Sequence, residues 1–382
     1  MIRISILALL VVGSIVTLCT AALSATEYVI SNENSLGSSS LVLLKLDTVT
    51  GVLSTVATLP TGGRGFGPNS NGEADVWQAV SPNADCIFAM DVASSDIAAF
   101  QKASHYARIG NYSNPALNSD LLGGAISLSP SGNFLYASYT QTEDIGIWAV
   151  NPDCSLTFVA AYSPVVVISG PLKVTPDGRY LLITRGFLAD LISIDPSTGE
   201  LTNVGVVSFQ NICPSSCMLS SFDFTRDSRI VVFMGSTQYG DQYYPIALAA
   251  EIAPTGLTNL RGWRLNNSAG VGTDGVFNSP FFSAAGYAGS GNLYFGVGNG
   301  VITTNFTEKP LRISLTNATF VSASRYDGLI AATGSFMIVA EAPNQIGVFT
   351  INPDGSLTEL STTTIDNPNA GMFSLSLFPN TR

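Results

Sequence analysis

Thr175-Pro176-Asp177-Gly178-Arg179-Tyr180-Leu181-Leu182-Ile183 is the stretch that decides the fold. Pro176 presets φ for a turn, the Asp177 side chain bonds nearby backbone, and Gly178 takes a positive φ. The run after it, aromatic then branched, suits a pleated sheet. The same unit recurs on both sides. Ser81-Pro82-Asn83-Ala84 precedes Cys86-Ile87-Phe88-Ala89-Met90, and Ser129-Pro130-Ser131-Gly132 precedes Phe134-Leu135-Tyr136. Weaker copies stand at Thr225-Arg226-Asp227, Gly289-Ser290-Gly291 and Ala332-Thr333-Gly334, and the last at Phe378-Pro379-Asn380. A repeat of roughly 40–50 residues with several short strands is the signature of propeller blades.

A second turn recurs half a unit away. It reads Asn151-Pro152-Asp153-Cys154-Ser155-Leu156-Thr157, Asp195-Pro196-Ser197-Thr198-Gly199-Glu200-Leu201-Thr202 and Asn352-Pro353-Asp354-Gly355-Ser356-Leu357-Thr358. It is expected to join the third strand of each blade to the outer fourth. The two chain ends complete the count. Glu27-Tyr28-Val29-Ile30-Ser31 reads as a second strand with no first, and Met372-Phe373-Ser374-Leu375-Ser376-Leu377 as a first strand with none after it. Pairing them closes the ring and removes exposed sheet edges. The expectation is an all-β, seven-bladed β-propeller of four-stranded antiparallel blades, closed by the C-terminal strand pairing with the N-terminal blade. One domain spans 26–382, and the extra residues near 238–244 and 265–278 are expected to be loops.

Residues 1–25 read as a signal peptide. Arg3 precedes an almost wholly apolar stretch to Leu18, and Leu23-Ser24-Ala25 offers a cleavage site. The rival, a transmembrane anchor, needs a longer apolar run. Acidic residues outnumber basic ones, 27 to 16, for a net charge of −11. That balance argues against nucleic acid and anionic membrane surfaces as partners. The protein is expected to be secreted, extracellular or surface-associated, and monomeric.

Four cysteines follow the leader: Cys86, Cys154, Cys213 and Cys217. An even number in an exported chain suggests disulfides. Cys213-Pro214-Ser215-Ser216-Cys217 can close a small loop, leaving Cys86 with Cys154. Four cysteines at this spacing make a poor zinc site, and acidic residues never cluster as metal loops do, so no metal and no cofactor are expected. Asn111, Asn266, Asn305 and Asn317 head Asn-x-Ser/Thr sequons, which are glycosylation candidates in a secreted protein.

The unit around residues 175–181 resembles the lactonase family of seven-bladed propellers, which includes 6-phosphogluconolactonase and carboxy-cis,cis-muconate cyclase. The stretches Tyr28-Val29-Ile30-Ser31-Asn32, Thr61-Gly62-Gly63-Arg64-Gly65-Phe66-Gly67 and residues 89–100 resemble its secreted, cyclase-like branch. The resemblance implies a site at one mouth of the central channel, acting on a small carboxylate or lactone. It also implies Gly-Pro-Arg-His before the Pro-Asp-Gly turn and Asn-Glu after the next strand. This chain has Gly170-Pro171-Leu172-Lys173 and Thr184-Arg185-Gly186 instead. The usual acid–base set is therefore replaced.

Blade logic puts the starts of first strands and the loops between second and third strands at the mouth. Candidates for binding a small anionic ligand are Arg64, Lys173, Arg185, Asp91 and Glu341, with Asp75, Glu143 and Asp144 nearby. Lys173 stands where the family's His would be. His105, the sole histidine, is expected in a surface turn on the opposite face, and Trp77, Trp148 and Trp263 in blade packing. Two function classes stay open. One is a lactonase-like or carboxymuconate cyclase-like enzyme. The other is a non-catalytic extracellular glycoprotein that binds a protein or glycan on the same scaffold. A redox enzyme is a third, but the chain lacks histidine ligands for one.

Overall fold

Alternating runs of β-formers separated by Pro, Asp and Gly turns leave little room for anything but short antiparallel strands. The structure, a computed structural model, describes residues 27–32, 37–65, 78–115, 123–140, 142–165, 170–212, 217–239, 242–264, 284–287, 291–297, 300–322, 326–332, 335–341, 345–365 and 374–378. They form seven four-stranded antiparallel sheets.

Blade 1 takes Ser374–Phe378 from the C-terminus as its innermost strand, then Glu27–Asn32, Ser40–Leu46 and Leu53–Pro60 outward. The closing pair runs from Tyr28 opposite Phe378 to Asn32 opposite Ser374. Blade 2 holds Gln78–Val80, Cys86–Asp91, Asp96–Gln101 and Ala107–Ser113. Blade 3 holds Gly123–Leu128, Phe134–Tyr139, Asp144–Val150 and Leu156–Tyr162. Blade 4 holds Leu172–Val174, Tyr180–Arg185, Leu188–Ile194 and Leu201–Ser208. Blade 5 holds Cys217–Phe224, Ile230–Tyr239, Gln242–Ala253 and Gly256–Arg264. Blade 6 holds Ala284–Tyr287, Asn292–Val297, Gly300–Glu308 and Leu311–Ser322. Blade 7 holds Tyr326–Ala332, Phe336–Glu341, Gln345–Ile351 and Leu357–Thr364.

The expected loop at 238–244 is not one. The central hairpin of blade 5 extends in register to Tyr239 opposite Gln242. The pairing carries both strands into the expected loop and lengthens the hairpin. Residues 265–283 and the expected signal peptide, residues 1–25, lie outside the described residues, as do Asp75 and Trp77.

The sheets stack face to face, so the middle strands are buried on both sides and alternate between two cores. Ile87 and Ala89 pack with Ile30 and Leu43 of blade 1, while Phe88 and Met90 pack with Ile126 and Leu135 of blade 3. Val29, Ile338, Val348 and Leu375 share the core that joins blade 7 to blade 1, so the borrowed strand is packed as well as paired. Burying one such side chain contributes roughly 1.5–3 kcal/mol. Outer strands alternate toward solvent, as the sequence Ala107–Ser113 does. Every pairing of a third with a fourth strand carries a register shift, a bulge that sharpens the local twist.

The Pro turns lie on the rim opposite the inter-blade connections, and their chemistry repeats. Thr175 Oγ1 bonds Asp177 at 2.7 Å and accepts the Tyr180 N–H at 3.1 Å. Thr225 does the same with Asp227 and Ile230, Ser81 with Asn83 and Cys86, and Ser129 with Ser131 and Phe134. The second turn repeats too: Asn151 and Asn352 each donate from Nδ2 to the Ser four residues on, at 2.9 Å. Hydroxyl donors Ser155, Ser197 and Ser356 hold the carboxyls of Asp153, Asp195 and Asp354 below the usual range.

Cys86 and Cys154 form a disulfide, with Cα atoms 5.4 Å apart, that ties blade 2 to blade 3 on this same rim. Cys154 has φ +68° where Gly355 has +85°, so the cysteine occupies a left-handed position that its sister turn gives to glycine. Cys217 is itself disulfide-bonded, and Cys213 lies outside the described residues. No helix among the described residues is long and apolar enough to cross a membrane.

Candidate functional site

The innermost strands carry one position in register with the Pro turns, polar in blades 3, 4 and 5 and alanine in blade 2. Two residues before each turn's Ser or Thr stand Ala79, Ser127, Lys173 and Asp223. Adjacent blades 4 and 5 therefore bring a cation beside an anion. Lys173 pairs with Leu182, whose side chain lies in the core between blades 4 and 5, so Lys173 faces blade 5. Its Nζ donates to the Phe222 carbonyl at 2.6 Å and stands 3.9 Å from Asp223 Oδ1. The ammonium also lies over the Phe222 ring, 5.7 Å from its centroid. About a fifth of the Lys173 side chain (21%) stays exposed, against 4% for Asp223. The pair joins a partly exposed ammonium to a sheltered carboxylate. Such a pair can hold an anionic group and place a base near it.

Arg185 does not join them. It ends the second strand of blade 4, three residues past Leu182, and so belongs to the opposite face of the sheet, toward blade 3. It is exposed on the mouth rim. Arg64 is also an exposed rim residue. Its backbone N–H donates to Ser94 Oγ at 2.9 Å, and its carbonyl accepts from Ala93 and Ser94. That docks the segment after blade 1 onto the turn of blade 2. Glu341 ends the second strand of blade 7, opposite Gln345, on the same rim. Glu143 is exposed at φ +60°, and Asp144 accepts a bond from Ser163.

Asp91 is fully buried between blades 1 and 2. Thr61 Oγ1 lies 2.7 Å from its Oδ1. Burial pushes its carboxyl up to about 7; the Thr61 bond opposes that rise and the Asp96 charge adds to it. Asp96, its cross-strand partner, accepts bonds from the Ser94 hydroxyl and the Asn111 amide. Around them, Asn32 Nδ2 reaches the Met90 carbonyl, and Gln78 Nε2 reaches that of Ile30.

His105 is an exposed turn residue at φ +56° after the third strand of blade 2. Trp148 packs edge-on against Tyr112 and Phe158, and Trp263 packs on the core between blades 5 and 6. Among the described residues, no three His, Cys, Asp or Glu side chains gather as a metal site would need. Sequence reading passed over Asp223, although the repeat alone puts it in register with Lys173.

Residues 79–212 match the family model described as lactonase, 7-bladed beta-propeller. Over that stretch the chain is similar to the seven-bladed lactonase propellers. No curated protein matches the chain. Solved structures do, at low identity. A candidate 6-phosphogluconolactonase from Bacteroides fragilis is 13% identical with TM-score 0.66, covering 94% of this chain and 99% of that one. A protein from Lactobacillus plantarum is 14% identical at TM-score 0.67, covering 92% and 99%. The periplasmic gluconolactonase of Pseudomonas aeruginosa is 16% identical at TM-score 0.64, with the same coverage. Identities this low speak for shared architecture alone. The matched stretch includes Lys173 and Arg185 but ends before Asp223.

Proposed function

We propose that this lactonase-like propeller hydrolyses a small anionic lactone at the channel wall between blades 4 and 5. The observation that carries the reading is the Lys173–Asp223 pair on neighbouring innermost strands. The partly exposed ammonium of Lys173 supplies the positive charge. Lys173 holds the carboxylate or developing oxyanion of the substrate. Asp223 accepts a proton from the attacking water. The new bond joins water oxygen to the lactone carbonyl carbon, the ring C–O bond breaks, and the ring oxygen takes up a proton to give the hydroxy acid.

The finer reading, cyclisation of a carboxymuconate, uses the same cation on a substrate carboxylate, and one assay series separates the two. Purified protein is offered gluconolactone, its 6-phosphate and carboxymuconate. Lys173→Ala and Asp223→Asn are each expected to lower kcat/KM by about a hundredfold or more with circular dichroism unchanged. Turnover unaffected by both changes would remove the proposed site. Absence of any turnover would leave the scaffold a binding protein. An extracellular location is part of the same proposal, supported by the Cys86–Cys154 bridge, since such bridges persist in oxidising compartments. Sequon occupancy is read by mass before and after deglycosylation. Asn111, whose amide already serves Asp96, is expected to be the least occupied.

A further inference from the structure

We propose that Asp91 is a protonated carboxylic acid whose proton completes a hydrogen-bond chain from blade 2 through Thr61 to Ser39 of blade 1, and that ionisation breaks the Thr61–Ser39 link and loosens the rim segment 61–65. The inference rests on a count of protons and acceptors. Thr61 Oγ1 lies 2.7 Å from Asp91 Oδ1 and 2.9 Å from the Ser39 carbonyl. A hydroxyl carries one proton, and a carbonyl only accepts. With Asp91 ionised, the hydroxyl faces two acceptors and serves one. With Asp91 protonated, the acid donates to Thr61 Oγ1 and Thr61 donates to Ser39. The chain of bonds then runs unbroken from blade 2 into blade 1.

The other carboxyl oxygen points the same way. Asp91 Oδ2 is buried with no hydrogen-bond partner among the described residues. Gly63 packs directly on it, and a Cβ there would stand 2.3 Å away. The Ser39 hydroxyl and the Gly63 N–H, which favour the carboxylate, do not offset its burial, and the carboxyl stays raised. The charges around it do not rescue the anion. Asp96 lies across the strand pair and repels it. The Arg108 guanidinium is on the Thr61 carbonyl at 2.6 Å, and Arg64 is exposed on the rim. From blade 1 the facing groups Asn32 and Ser39 are neutral, as is Gln78 on the innermost strand of blade 2, and blade 3 meets this turn through the Gly123 N–H on the Val92 carbonyl. Burial holds the acid near 7, inside the range where cells and secretions differ in pH.

Ionisation therefore turns the Thr61 hydroxyl to the carboxylate, removes its bond to Ser39 and leaves a poorly solvated charge beside Gly63. The segment that gives way carries Arg64, so ligand access at the rim follows the same proton. The linkage has a definite sign. The folded acid holds its proton more tightly than the unfolded one, so this group's contribution is full below about pH 4, falls as pH rises and is lost above about 7.

The test is hydrogen exchange and thermal unfolding of the full chain between pH 5 and 8.5. Exchange of the amides at 61–65, corrected for intrinsic base catalysis, should rise roughly tenfold from pH 6 to 8 as the ionised fraction grows. The midpoint of unfolding should fall over the same range, and Asp91→Asn, which cannot ionise, should flatten both. An equal decline in the variant overturns the proposal. If Asp91→Asn does not fold, the carboxyl carbon of Asp91 in labelled wild type decides: titration near 7 supports the proposal, and titration below 5 ends it.

Discussion

The two rims of the ring are built differently. On the rim of the Pro turns, four blades repeat one bonding pattern, and consecutive turns touch. The Asp177 N–H donates to Ser228 of the next blade, and the Cys86–Cys154 bridge joins two more blades. On the mouth rim no motif repeats among the described residues. There Arg64 docks on Ser94, Asp144 takes Ser163, and Asp91 is buried beside Gly63. The regular rim spends its polar groups on itself and is a scaffold. The irregular rim leaves cations exposed and a carboxyl undersolvated, which is where chemistry and regulation can be added without disturbing the repeat.

The sharpest way to break this comparison is to open the ring. Deleting the chain beyond residue 370 removes Ser374–Phe378, strips blade 1 of its innermost strand and takes Leu375 out of the core between blades 7 and 1. If both rims hang on one closed array, the truncated protein should lose its cooperative melt and aggregate from an exposed edge. Circular dichroism and size exclusion check this. A truncated monomer with an unchanged midpoint would mean that the blades stand alone.

Loss of the bridge comes next. Cys86 and Cys154 are 68 residues apart in sequence. A closed loop of that length constrains the unfolded chain by about 4 kcal/mol in the chain-entropy account. The double change Cys86→Ala with Cys154→Gly should lower stability in denaturant titration by somewhat less, because glycine relieves the left-handed position. Turnover per folded molecule should not change. A drop in kcat/KM would show that the scaffold rim reaches the mouth.

The same contrast explains what could be read from the chain alone. The Pro turns and closing strands were legible because their chemistry is local. Thr175, Asp177 and Tyr180 bond within five residues of each other, and the alternation of Ile87 and Phe88 betrays burial on both faces. The partners at the mouth were not. Thr61 meets Asp91 across 30 residues, and Lys173 meets the Phe222 carbonyl across 49. Those meetings depend on how one blade is rotated against the next, which no short motif encodes. Lys173 and Arg185 were candidates for one anionic ligand, and the strand's alternation sends them to opposite faces. Asp223 was within reach of the repeat itself, being two residues before Thr225 as Lys173 is before Thr175.

The smallest effect sharpens the comparison most. Thr175→Val keeps the shape of the side chain and removes both its donor to Asp177 and its acceptor for the Tyr180 N–H. About 1–2 kcal/mol should be lost, the usual cost of leaving such groups unpaired. Ser228→Ala should cost less, since it removes the acceptor for the Asp177 N–H at 2.9 Å. The informative quantity is the double-mutant coupling. If neighbouring turns support one another, the two changes together should cost less than their sum by about 0.5 kcal/mol or more, because Asp177 belongs to both contacts. Strict additivity would mean that each turn is held only by its own blade. The regularity of that rim would then be a product of sequence repetition, and the ring would owe its cooperativity to the seven apolar cores alone.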